Sequence, residues 1–109
     1  MPYDEGLAEI LRADLADLPR LEEKRMFGGL CFMVEGHMLC GVHKGGGMFR
    51  VGKPREDAAL VIDGVTEMAF TGRKMGGFVE VSDDAMADDK KRARLIALAL
   101  ENLRGLPPR

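Results

Sequence analysis

Leu30-Cys31-Phe32-Met33-Val34, then Glu35-Gly36, then His37-Met38-Leu39-Cys40-Gly41-Val42-His43: the reading of this stretch decides the fold. Two strand-prone apolar runs are joined by two residues, the second a glycine, and that spacing reads as a tight antiparallel hairpin. With Glu35-Gly36 as the turn, Val34 faces His37, Met33 faces Met38, Phe32 faces Leu39 and Cys31 faces Cys40. Side chains alternate between the two sides of a strand. One side then carries Leu30, Phe32, Val34 and Leu39, and the other carries Cys31, Met33, Met38, Cys40 and Val42. Both sides are apolar, whereas a sheet with one wet face alternates apolar with polar. The Met/Cys side therefore calls for a cover, either a helix of the same chain or a second copy of it. Methionine suits adaptable contact surfaces, and the expected arrangement is a homodimer through this side.

The same pairing sets Cys31 opposite Cys40 with β-carbons about 4.5–5.5 Å apart, wider than the roughly 3.5–4.5 Å of a disulfide. A strained, reducible cross-strand bond is one reading; two small buried thiols, kept reduced, are the favoured one. Soft Cu(I) ligation is open to a Met/Cys side, but core methionines leave the same pattern. Two cysteines nine apart and the histidines at 37 and 43 make no zinc set. No metal and no cofactor is assigned.

Outward from the hairpin, Asp4 is placed to cap a first helix ending near residue 18, with Leu7, Ile10, Leu11, Leu15 and Leu18 as its apolar stripe. Pro19 stops it. Residues 22–26 read as a strand broken by Gly28-Gly29, and residues 44–47 as a glycine turn before a strand over 48–51. Pro54 suits the first turn of a second helix that carries Ala58, Ala59, Val61 and Ile62. Residues 68–70 and 78–81 read as short strands around a loop at 71–77, and residues 88–104 as a last helix. Ile96, Ala99, Leu100 and Leu103 form its stripe, with Gly105 as its C′ residue. The order α-β(3-4)-α-β(2)-α, without linker or low-complexity tract, predicts one α+β domain over residues 1–109: two layers, helices on an antiparallel sheet.

Bulk properties narrow the classes. A chain of 109 residues is one domain. A net charge of −2 gives no general reason for nucleic-acid binding. No apolar run approaches the ~20 residues that span a bilayer, so no membrane is expected. The acidic start at Tyr3-Asp4-Glu5 lacks the basic and apolar regions of a signal peptide, which predicts a cytoplasmic protein.

Two loops echo each other. Lys24-Arg25-Met26-Phe27-Gly28-Gly29 and Arg73-Lys74-Met75-Gly76-Gly77-Phe78 each hold two basic residues, a methionine, a glycine pair and a strand beyond. Backbone N–H groups at such glycines, with Arg or Lys beside them, can hold an anion; the plainer reading is two bends only glycine tolerates. Neither loop matches G-x-G-x-x-G or a P-loop. The run Lys90-Lys91-Arg92-Ala93-Arg94 is the densest basic cluster, read as a solvated helix face balanced by Asp83, Asp84, Asp88 and Asp89. Ser82 is the lone serine, and no nucleophile, base and acid set can be drawn from the spacing.

The segments Lys24-Arg25-Met26-Phe27-Gly28-Gly29 with Cys31-Phe32-Met33, and Phe70-Thr71-Gly72-Arg73 with Met75-Gly76-Gly77-Phe78-Val79, resemble the N-terminal domain of the TfoX/Sxy family, bacterial regulators of natural competence. Tyr3-Asp4-Glu5-Gly6-Leu7 is similar to the opening of its small stand-alone members. The resemblance implies a two-layer α+β domain like that of secretion chaperones and no established enzyme activity. The leading expectation is a non-enzymatic regulatory or protein-interaction module, a homodimer with a further protein partner. Its candidate functional edge is Arg25, Phe27, Gly28, Gly29, Arg73, Met75, Gly76 and Gly77. One alternative is a nucleic-acid-associated module using Lys24, Arg25, Arg73, Lys74 and residues 90–94; the other is a small anion- or nucleotide-binding protein.

Overall fold

The computed structural model describes residues 3–26, 28–70 and 72–106. Its hairpin turns where the spacing predicts. Glu35 and Gly36 have φ of 50° and 83°, the two positive angles of a type I′ turn. Val34 faces His37 and Met33 faces Met38 across it. One step further the register shifts: Phe32 faces Cys40, and Cys31 faces Gly41. A bulge sets two residues of one strand against one of the other and turns the rest of the strand over. Cys40 and Val42 therefore join Leu39 and Phe32 on one side, and Cys31 stays on the other. The expected Cys31–Cys40 pairing is corrected: both thiols are free and buried, on opposite faces of the sheet.

The hairpin supplies the second and third strands of a six-stranded antiparallel sheet in the order β1-β2-β3-β4-β6-β5. Its strands are β1 (Leu21–Met26), β2 (Gly29–Val34), β3 (His37–His43), β4 (Gly46–Arg50), β5 (Val65–Phe70) and β6 (Arg73–Val81). The helices are α1 (Glu5–Asp14), α2 (Glu56–Leu60, after a 3-10 turn at Lys53–Arg55), α3 (Asp83–Ala87) and α4 (Asp89–Arg104). This is the two-layer α+β architecture the sequence predicts. β5 and β6 are longer than the expected short strands, and the expected 71–77 loop is mostly strand. The pairing jumps from Glu67↔Val79 to Ala69↔Lys74, so the extra residues bulge out around Gly76-Gly77. There the Gly77 carbonyl accepts the N–H groups of Val51 and Gly52, at 2.9 and 3.0 Å.

The helices lie on one face. Leu7, Leu11 and Leu15 from the α1 region, Ala59 from α2, Ala85 and Met86 from α3, and Leu95, Leu98 and Ala99 from α4 pack on Phe32, Cys40, Phe49, Val79 and Val81. Asp4 caps α1 as expected, its carboxylate accepting the N–H groups of Gly6 and Leu7 at 2.7 and 3.2 Å. α1 ends at Asp14 rather than near residue 18. The stripe of α4 centres on Arg92, Leu95, Leu98 and Ala99, with Ile96, Leu100 and Leu103 half-buried at its margin. Val61, placed on α2 from sequence, caps that helix and is 83% exposed. Gly105 closes α4 with φ of −87°, not in the left-handed region.

Arg92 leaves the basic cluster for the interior. It is 4% exposed; Nε donates to Asp14 at 2.5 Å, Nη2 to Asp89 at 2.7 Å and Nη1 to the Met86 carbonyl at 2.9 Å. One guanidinium thus fastens the end of α1, the end of α3 and the first turn of α4. No helix among the described residues is long and apolar enough to cross a membrane.

Candidate functional site

The other face of the sheet carries the sulfur. Cys31, Met33, Met38, Met48 and Met68 form a second buried cluster, with Met26, Met75 and Phe78 half-buried against it. Six of the eight methionines gather there. Every residue of the cluster comes from a strand, and all six strands contribute. Neighbouring strands lie about 4.8 Å apart, so the edges of a flat six-stranded sheet would stand roughly 24 Å from each other. Met26 on edge strand β1 and Met68 on edge strand β5 belong to one cluster because a methionine, a cysteine or Phe78 on every strand between them links the two edges. No helix residue joins this cluster among the described residues, yet Cys31 is fully buried and Met33, the most open of the five, is 9% exposed.

Gly41 makes room at the centre. It sits between Cys31 and Met48 in one cross-strand row. A β-carbon on it would meet the Leu30 carbonyl oxygen at 2.6 Å and the Met48 methyl at 3.0 Å. The Met48 side chain therefore lies across the glycine, over the gap between β2 and β4. Burial pushes the Cys31 thiol up to about 11 and that of Cys40 higher still. Neither is a nucleophile at neutral pH.

Charged side chains flank the sulfur. Lys24 pairs with Cys31 and Glu22 with Met33 along β1, both exposed. On the far side Arg50 pairs with Phe78, its guanidinium carbon 5.8 Å from the ring centroid, a cation–π distance. Glu80 pairs with Met48 and stands 3.3 Å from His43 Nε2. His43 Nδ1 accepts the Gly45 N–H at 2.9 Å.

The residues singled out from sequence fall at two corners of this face. Arg25, Gly28 and Gly29 lie at the β1–β2 turn, and Phe27 lies outside the described residues. Arg73, Met75, Gly76 and Gly77 lie on β6 beside the β5–β6 turn. Because every neighbouring pair is antiparallel, the two turns sit on opposite edges and at opposite ends of the sheet, diagonally apart. They do not adjoin along one edge. Their shared role is to send one methionine each, Met26 and Met75, onto the same cluster. Arg25 and Arg73 are exposed. Lys74 is engaged by Glu67 at 3.2 Å and Glu56 at 3.7 Å, which raise its pKa. Gly76 lies under the stem of Lys53, whose Cε would be 2.7 Å from a β-carbon there. Gly29 is required by a close approach, since a β-carbon on it would stand 2.0 Å from the Val42 carbonyl oxygen.

Sequence reasoning missed Arg50, Glu80 and Met68 as parts of this face. The signal was the alternation Met48, Arg50 on one strand and Phe78, Glu80 on the next, one apolar and one charged residue each on the same side. Among the described residues no group of three or more His, Cys, Asp or Glu is placed to hold a metal ion. A separate cleft of about 290 Å³ opens between the β2–β3 turn and the end of α4, lined by Val34, Glu35, His37, Leu103, Arg104 and Leu106. A family model described as the TfoX N-terminal domain matches residues 13–103. No curated protein and no solved structure matches the chain.

Proposed function

Since the chain belongs to the TfoX N-terminal domain family, which points to a competence-related regulatory module, we propose that it works without catalysis, through protein contacts made at the helix-free face of its sheet. The observation that carries this reading is the half-buried trio Met26, Met75 and Phe78 over a wholly sulfur-lined layer. Thioether side chains are unbranched and repack at little cost, which suits a surface that receives a partner. The surrounding Lys24, Glu22, Arg50 and Glu80 give that surface charges of both signs. Such a mixture fits a protein better than a nucleic-acid backbone, which rewards cations alone. Homodimerisation is a further contact of the same module, made outside this face.

The test is complementation in the source organism. A strain lacking the gene is given wild type, Met75→Glu or Phe78→Ala, and transcripts of its DNA-uptake genes are measured. Wild type restores the transcript level, and both variants stay at the deletion level while the purified proteins keep wild-type circular dichroism. Full complementation by Met75→Glu removes this face from the mechanism. A salt-sensitive gel shift with DNA, abolished by Arg25→Ala, favours the nucleic-acid reading instead.

A further inference from the structure

The two edge strands of the sheet are unequal. β1 reads Leu-Glu-Glu-Lys-Arg-Met, four charges in six residues, and its four charged positions are exposed. Charged side chains are how edge strands resist pairing with other chains. β5 reads Val-Thr-Glu-Met-Ala-Phe, with one charge, and that charge, Glu67, is held by Lys74 at 3.2 Å. β5 pairs with β6 on one side and with no strand on the other among the described residues.

Backbone direction along β5 can be read from both ends. The Ser82 N–H donates to the Gly64 carbonyl at 2.9 Å, so Gly64 turns toward β6. Alternation then turns Val65 and Glu67 outward. At the other end Phe70 pairs with Arg73 across the short connection. The extra residues of the irregularity lie on β6, so alternation carries on along β5 and turns Ala69 outward as well. The Val65 N–H is used by the Ile62 carbonyl at 3.1 Å. Glu67 and Ala69 thus present two donors and two acceptors on an edge whose single charge is already paired.

We propose that β5 is the edge through which two copies of this chain pair, antiparallel, about a two-fold axis at Met68. This deepens the reading of the protein as a contact module and rests on it. In that register Glu67 of one copy faces Ala69 of the other, twice, so every outward N–H meets a C=O and the two glutamates do not face each other. The two six-stranded sheets become one of twelve strands with all helices on one face. A second copy is the occupant this edge fits, because the axis matches the segment to itself with no like charges opposed. On β1 the same event would bring four exposed charges per copy to the seam.

Sedimentation equilibrium of the full chain at tens of micromolar tests the proposal. Wild type sediments at twice 11.9 kDa. Ala69→Lys, which sets a charge at the seam, and Ala69→Pro, which deletes an outward donor, weaken the dimer at least tenfold with unchanged circular dichroism, and Ala69→Lys decides should the proline variant misfold. Lys24→Ala on β1 leaves the dimer intact. A monomeric wild type, a dimer that survives Ala69→Lys, or one lost in Lys24→Ala overturns the assignment. A dimer of wild-type strength in Met75→Glu that nonetheless fails to restore transcripts keeps this inference separate from the test of the sulfur face.

Discussion

One sheet, two faces, two kinds of packing. On the helix side Phe32, Phe49, Leu39, Val79 and Val81 interlock with Leu11, Leu15, Leu95 and Leu98, branched and aromatic shapes with few rotamers. On the other side no helix residue joins the cluster among the described residues, and the strands pack methionine, cysteine and one phenylalanine against one another. Branched side chains fit a partner surface fixed in advance, and thioethers fill irregular space whose shape is set by strand curvature. The difference teaches that burial alone does not tell where a fold is rigid. Both clusters are almost wholly closed to water, yet only one is held between two layers.

Truncations at neighbouring residues of β4 put that comparison under load. Phe49 and Met48 are 0% and 1% exposed and point to opposite faces. Phe49→Ala is expected to cost about 3–5 kcal/mol, the range for an aromatic side chain removed from a core that cannot collapse. Met48→Ala is expected to cost less, about 2–3 kcal/mol, because flexible thioethers around it can move into the space. Urea denaturation read by circular dichroism gives both numbers. Equal losses would erase the proposed difference between the faces.

Arg92 sharpens the same point from the polar side. Its bonds to Asp14, Asp89 and the Met86 carbonyl tie three helices of the one layer to each other. Arg92→Ala leaves Asp14 facing an apolar gap and is expected to cost about 3 kcal/mol, the low end for a broken buried pair since Asp14 keeps some water contact. Arg92→Met, which restores volume without charge, is expected to recover part of that loss. A denaturation midpoint unchanged in Arg92→Ala would mean the three helices do not depend on it.

Much of this was legible in the sequence, and the exceptions share a cause. The β2–β3 turn was legible because Glu35-Gly36 is short and ends in glycine, and the α1 cap because Asp4 precedes an apolar stripe. The bulge at Leu39 was not. In Met38-Leu39-Cys40-Gly41-Val42 every residue is apolar or glycine, so alternation reads equally well in either phase, and a skipped residue leaves no trace. The Cys31–Cys40 pairing failed for that reason. The bulge at Gly76-Gly77 hid in the same way, its glycines suggesting a loop where a strand continues. Arg92 was read as solvated because its neighbours are Lys90, Lys91 and Arg94, although it falls three before Leu95 and seven before Ala99, on the buried stripe. Of the candidate site, the two basic, glycine-bearing segments stood out in the sequence by their echo. Their diagonal placement was not legible, because strand order across a sheet is not written in local patterns.

Glycine substitutions probe one of those corners with smaller effects. Gly29 and Gly28 are adjacent and unlike. Gly29→Ala drives a β-carbon into the Val42 carbonyl and is expected to cost about 1–3 kcal/mol through a shifted β2–β3 ladder. Gly28 has φ of 73° and open space around it, so Gly28→Ala is expected to cost only about 1 kcal/mol of backbone strain. Thermal melts of the pair check the order. The reverse order would mean that the turn, not the close approach, sets the corner from which Met26 reaches the sulfur cluster.

The smallest expected effects lie in the pH dependence, where the two faces again part. Glu23 on β1 faces the helix side and accepts two hydrogen bonds from Arg12 of α1, which hold its carboxyl below the usual 4.5. A folded value below the unfolded one adds stability above about pH 4.5, and that share is lost as pH falls through the lower folded value. On the sulfur face burial raises the Cys31 thiol from 9.0 to about 11. A folded value above the unfolded one works the other way: the thiol's share is whole below pH 9 and drains away as pH rises toward 11. Glu23→Gln is therefore expected to flatten the acid limb of a stability profile and leave the alkaline limb alone. Cys31→Ala flattens part of the alkaline limb, the remainder belonging in part to Cys40, whose thiol burial raises as well. If Glu23→Gln instead changed the alkaline limb, or Cys31→Ala the acid one, the faces would be coupled through the sheet, and the sulfur layer could not repack for a partner without disturbing the helices behind it.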